Sequence, residues 1–195
     1  MALSVDAQIT TAVPPADRST AGKQPTPVWV LGALGLFATA ALTGACWVSG
    51  HVHADPTLQA TARFLHLAAM VVGLGAVLAV DWFAILWLLG RRRLADILDT
   101  AATLQVPIWG GLAGLLVTGL FLSPNMESTL TLTKIALVLV ITLNGLYAHW
   151  LGQRLERYRD TGVPVRFLVQ SGLAATVSQT GWWGACVIGY INSRS

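Results

Sequence analysis

RFLHLAAMVVGLGAVLAVDWFAILWLLGRRR, residues 63–93, is the stretch that decides the fold. Between Arg63 and Arg91 only His66 and Asp81 ionise readily. A hydrocarbon core of about 30 Å takes roughly 20 apolar residues of helix. The stretch exceeds that, so it reads as a helix that crosses a membrane with length to spare. Arg91, Arg92 and Arg93 halt it and mark a cytoplasmic end.

The rest of the chain agrees with a membrane setting. Only 11% of its 195 residues are charged and 54% are hydrophobic, whereas soluble domains carry about 25% charged residues. Five apolar segments follow one another: Val28–Val48, Phe64–Gly90, Thr103–Leu122, Leu130–Leu151 and Leu168–Ile191. Each is long enough to span. Short linkers favour antiparallel sequential neighbours. The predicted fold is therefore all-α, an integral membrane bundle of five transmembrane helices over residues 28–195. Met1–Pro27 is polar and rich in Ala, Thr and Pro, and reads as a disordered cytoplasmic leader rather than a secretory signal.

Orientation follows from the basic residues. With the N-terminus inside, Arg18, Lys23, Arg91, Arg92, Arg93, Arg154, Arg157, Arg159 and Arg166 lie inside, and only Arg63, Lys134 and Arg194 lie outside. That bias predicts a multi-pass protein of the inner (plasma) membrane with its C-terminus outside. The net charge of +3 is too small to argue for nucleic acid. Two cysteines make no disulfide framework. No Walker loop, G-x-S-x-G, H-E-x-x-H or C-x-x-C is present, which argues against nucleotide and soluble-type hydrolase chemistry.

Small residues suggest packing faces. In VPIWGGLAGLLVTGLFL, Gly110 and Gly114 stand four apart, with Gly111, Thr118 and Gly119 nearby. That pattern allows close helix approach or a homodimer. Pro107 is expected in the first helical turn, where its missing N–H costs little. Ser178, Gln179 and Thr180 fall near mid-membrane and are expected to face other helices. Trp47, Trp150 and Tyr190 read as interfacial anchors.

An ionisable group inside a membrane helix is costly and therefore a functional candidate. His66 and Asp81 share the second helix, and Lys134 and His149 the fourth. Each pair is separated by about 22 Å of helix rise and roughly 60° of rotation, so each shares a broad face. His66 and Lys134 fall in the outer half. Asp81, Asn144 and His149 fall in the inner half, where Asp81 is expected to pair with Asn144 or His149. The outer loop WVSGHVHADP adds His51 and His53, with Cys46 before it and Cys186 on the fifth helix at the same level. Imidazole and thiolate donors at one level form a candidate Cu or Zn site.

The order of these segments resembles a known superfamily. FLHLAAMVVGLG from Phe64, QVPIWGGLAGLLVTGLFL from Gln105 and LTLTKIALVLVITLNGLYAHWL from Leu130 are similar to the histidine, Pro-then-Gly and lysine helices of CopD copper-resistance domains and HemJ-type protoporphyrinogen oxidases. The resemblance covers about two-thirds of the chain. It implies that His66 and Lys134 take the positions of the family histidine and lysine, which are implicated in haem or porphyrin binding. The final helix departs: the stretch that corresponds to the N-E-x-P element reads LVQSGLAATVSQTGWW. Three functional readings follow. One is a redox-type protein that holds haem b or a porphyrin at His66 and Lys134. The second is a copper-handling permease with Cys46, His51, His53 and His66 at its mouth. The third is a non-catalytic subunit that works with other membrane subunits.

Overall fold

A computed structural model describes residues 26–52 and 54–192. The described residues form five α-helices and no strand: α1 Val28–Ser49, α2 Pro56–Leu88, α3 Leu94–Gly119, α4 Thr129–Leu155 and α5 Val165–Asn192, with a 3₁₀ turn at Glu156–Tyr158 after α4. The helix α1, the helices α2 and α3, and α4 with its 3₁₀ turn are long and apolar enough to cross a membrane. Five spans were expected on length alone. The helix α5 has the length but not the same apolarity, because Gln170, Ser171, Thr176, Ser178, Gln179 and Thr180 interrupt it.

Helix ends run beyond the apolar segments because polar side chains build the caps. Asp55 accepts from the Thr57 and Leu58 amides at 2.9 Å each, and Pro56 occupies the first position of α2. The same helix stops at Gly90, whose φ of +70° suits glycine. The Gly90 amide bonds to the Trp87 carbonyl and the Arg91 amide to that of Leu86, which is a Schellman ending. The helix α3 starts at Leu94, well before Thr103, since Asp96 reaches back to accept from the Arg93 amide at 3.0 Å and Leu94, Ala95 and Leu98 are buried. Pro107 therefore lies inside the helix rather than in its first turn. It removes the amide that would have bonded to the Thr103 carbonyl.

The helices pack as two hairpins, α2 with α3 and α4 with α5, while α1 lies against α4. Along α2 and α3 the partners run in opposite order: His66 with Thr118, Ala69 with Gly114, Gly73 with Gly111. Ile141 with Gly181 and Leu137 with Gly184 do the same between α4 and α5. The core lies between the hairpins and comprises Leu74, Val77, Leu112, Ile141 and Trp182. Ser49 at the end of α1 and Thr131 near the start of α4 are the buried polar residues among those described. The apolar surface that remains on α1 is broad. Trp29, Leu36, Phe37 and Trp47 are all exposed, as suits a helix bathed by lipid tails.

The tightest approach is between α2 and α3. A Cβ at Gly111 would stand 2.6 Å from the Gly73 Cα and 2.8 Å from the Ala69 carbonyl oxygen, both backbone atoms that cannot swing aside. Gly114 faces Ala69 in the same seam, but Gly110 meets nothing within 4 Å. The packing stripe is thus Gly111, Gly114 and Thr118, one residue round from the predicted Gly110 face. Gly111→Ala is expected to lower stability by about 1–3 kcal/mol, read as a drop in melting temperature in detergent. Gly110→Ala should leave it unchanged, and equal effects would contradict this seam.

Candidate functional site

The structure brings the predicted site residues together at some levels and not at others. At the outer end of the first hairpin, His66 Nδ1 lies 2.8 Å from Thr118 Oγ1. The Thr118 hydroxyl also sits 2.6 Å from the Gly114 carbonyl. A carbonyl only accepts, so the single hydroxyl proton points to Gly114, and the threonine oxygen accepts from His66 Nδ1–H. The neutral ring is thereby set with its proton on Nδ1 and a bare lone pair on Nε2. Thr118 owes its place to the Gly111–Gly114 seam, which lets its short side chain reach across.

Lys134 stands in the second turn of α4, half-buried. It makes no hydrogen bond and no ion pair among the described residues. The two expected partners make no hydrogen bond to each other: the side chain that His66 meets is Thr118.

One turn deeper, Cys186 Sγ donates to Met70 Sδ at 3.3 Å. Cys46 is elsewhere. It lines an apolar groove of about 310 Å³ between α1 and α4, with Leu42, Met126 and Ile135. His51 is exposed, bonded through Nδ1 to the Trp47 carbonyl at 2.8 Å and stacked on the Trp47 ring. His53 lies outside the described residues. Among the described residues no three His, Cys, Asp or Glu side chains group closely enough to hold a metal ion. Both cysteines are free thiols.

The inner polar residues are partnered differently from expectation. Asp81 accepts from Gln179 Nε2 on α5 at 2.6 Å, and Gln179 Oε1 accepts from Trp183 Nε1 at 3.0 Å. Asn144 instead donates to the Ala174 carbonyl at 2.8 Å. His149 is bonded on both ring nitrogens, to Gln105 and to Gln153. Asp81 therefore pairs with neither Asn144 nor His149, because α5, not α4, presents a polar side chain to that part of α2. Gln153 also accepts from the Thr26 amide at 2.6 Å, which ties the last residues before α1 to α4. Of the polar triplet in α5, Gln179 faces another helix and Thr180 is exposed.

Beyond the inner helix ends, Arg159 clamps the two hairpins. One of its nitrogens reaches both Asp99 oxygens, at 2.7 and 2.6 Å, and the other reaches Glu156 at 2.6 Å. Asp99 first, then Glu156, raise the guanidinium above its ordinary range and keep it charged.

Comparison of the chain with protein-family models, with curated proteins and with solved structures finds no match. The site's own geometry carries the functional reading.

The Asp81–Gln179 bond is expected to be an isolated coupling. In a double-mutant cycle with Asp81→Leu and Gln179→Leu, the interaction energy should be about 0.6–1.7 kcal/mol, the range for hydrogen bonds between membrane helices. The same cycle between Asp81 and Asn144 should give none. Coupling of equal size in both cycles would contradict the arrangement.

Proposed function

We propose that this is a multi-pass protein of the inner (plasma) membrane that binds haem b, or a related porphyrin, between His66 and Lys134 for a redox role. In this reading all five helices span, with the N-terminus inside and the C-terminus outside. The excess of arginine at the inner ends supports the orientation. Polar groups on α5 are tolerated in lipid because Gln179 bonds to Asp81 and Asn144 bonds to the Ala174 carbonyl.

One observation carries the ligand assignment. Thr118 holds His66 as the Nδ1–H tautomer and leaves Nε2 bare. Histidines that ligate metals almost always donate their other nitrogen to such a partner, which fixes ring and tautomer. The donor set fits a metalloporphyrin in both of its chemistries. The imidazole Nε2 of His66 would hold the iron, and Lys134, with no hydrogen bond or ion pair among the described residues, would meet an acidic side group of the macrocycle. Bound haem would supply one-electron chemistry. The chain's part is to orient the imidazole through Thr118, to offer a cation at the same level, and to surround both with apolar helices. The resemblance to HemJ-type helices points to the same two residues.

The test is a visible spectrum of the purified full-length protein during haemin titration. A Soret shift with saturable one-to-one binding is expected. His66→Ala should abolish it. Thr118→Val should weaken binding by about 10–100-fold, the usual consequence of losing the partner that orients a ligand histidine. No spectral change, or a His66→Ala protein that binds like the wild type, would overturn the assignment. For orientation, a reporter active only outside the cytoplasm, fused after Ser195, should be active. An inactive fusion of a well-expressed protein would reverse the topology.

A further inference from the structure

The turn between α2 and α3 carries three consecutive arginines that the proposed haem site leaves unused. Arg91, Arg92 and Arg93 are all exposed. Two carboxylates of α3 lie towards Arg93: Asp96, 3.9 Å from it, and Asp99. A groove of about 340 Å³ is lined by Ala79 and Phe83 of α2 and by Asp99, Thr100, Thr103 and Leu104 of α3. The Arg92 guanidinium lies over the ring of Phe83, a wall of this groove, 5.5 Å from the centroid. The Thr100 and Thr103 hydroxyls are spent on carbonyls one turn back in the same helix, at 2.6 and 2.8 Å. Their methyl groups are what remain for a ligand. Asp99 is the one acidic group at the edge, and both its oxygens are engaged by Arg159.

An apolar furrow beside the membrane, closed at its inner end by guanidinium groups, has the two-part chemistry of a phospholipid with an anionic head. We propose that the inner end of the α2–α3 hairpin binds one anionic phospholipid of the cytoplasmic leaflet. An acyl chain lies in the groove along Phe83 and Leu104, and the phosphate sits at Arg92 with Arg91 and Arg93 beside it. Charge complementarity selects this occupant: basic pockets between membrane helices on the cytoplasmic side take acidic head groups, and guanidinium pairs with phosphate through paired N–H donors. The contact of Arg92 with Phe83 sets a guanidinium beside a residue that lines the groove. The assignment rests on the membrane reading above, and not on haem.

The experiment is native mass spectrometry of the full-length protein released from detergent with phosphatidylglycerol or phosphatidylcholine added. One phosphatidylglycerol should be retained in preference to phosphatidylcholine. Arg92→Gln should cut that retention about fivefold, and neutralising all three arginines about 100-fold, at the contribution of one arginine near an acidic surface. Thr103→Phe, at an exposed position on the groove wall, should displace the lipid with the charges intact. Leu104→Trp serves as a second groove filler should the first fail to fold. Arg166→Gln, which removes an arginine elsewhere on the inner side, should leave retention unchanged. Equal retention of the two lipids, retention undiminished by both groove fillers, or an Arg166→Gln loss as large as that of Arg92→Gln would each overturn the site. A reporter result that reversed the topology, with the lipid preference intact, would move the site to the other leaflet and leave its chemistry standing.

Discussion

The bundle depends on the contact between Gly73 and Gly111, where two helix backbones meet with no side chain between them. In lipid there is no hydrophobic force to press helices together, so close van der Waals packing and interhelical hydrogen bonds carry the association. A seam free of Cβ atoms shortens the distance that every other pair along α2 and α3 must cross. That is how Thr118, with a side chain only two bonds long, touches the His66 ring. It is also how Trp182 reaches Gly73, where a Cβ would stand 2.9 Å from the indole. One backbone contact therefore sets the register of the first hairpin, the place of the buried tryptophan and the tautomer of the outer histidine.

The second hairpin repeats the device with a different partner. Gly181 of α5 accommodates Ile141 of α4, whose Cγ1 would lie 2.6 Å from an added Cβ. The two hairpins then meet through long side chains rather than backbones. Trp182 at 2% exposure and Ile141 at 4% fill the space between them, and Asp81–Gln179 and Met70–Cys186 bridge α2 to α5. The division has a physical consequence. Within each hairpin the helices are locked by glycine contacts, while between hairpins the contacts are side chains that can change rotamer. Rearrangement of the bundle is cheaper along the second kind of seam.

Much of this was legible in the sequence, and what was not has a common cause. Apolar length alone located all five helices, because a run such as Val71–Val80 leaves few alternatives. The helix ends were misplaced where charged residues looked like loop but act as caps: Asp55 starts α2 early, and Asp96 lets α3 start at Leu94 rather than Thr103. The polar pairing failed for a different reason. Asp81 and Asn144 lie at matching depths, but depth does not reveal which helices are neighbours. The signal for the true partner was present, since Gln179 was a polar residue near mid-membrane in need of one. Gly111, Gly114 and Thr118 were among the small residues named, but Gly110 falls off their seam because one step along a helix rotates the face by about 100°.

Polar side chains across the bundle are unequally satisfied from one end to the other, and this asymmetry bears directly on where a ligand has something to gain. Towards the inner end the polar groups consume one another. His149 is bonded on both ring nitrogens, Gln153 links it to the Thr26 amide, and Arg159 engages Asp99 and Glu156. The outer level differs: Thr118 takes only one nitrogen of His66, and Lys134 has neither a hydrogen bond nor an ion pair among the described residues. Unspent polar capacity is expensive in an apolar medium. The bundle respects that cost: Lys134 is only half-buried, and among the described residues no fully buried side-chain nitrogen or oxygen lacks a hydrogen-bond partner.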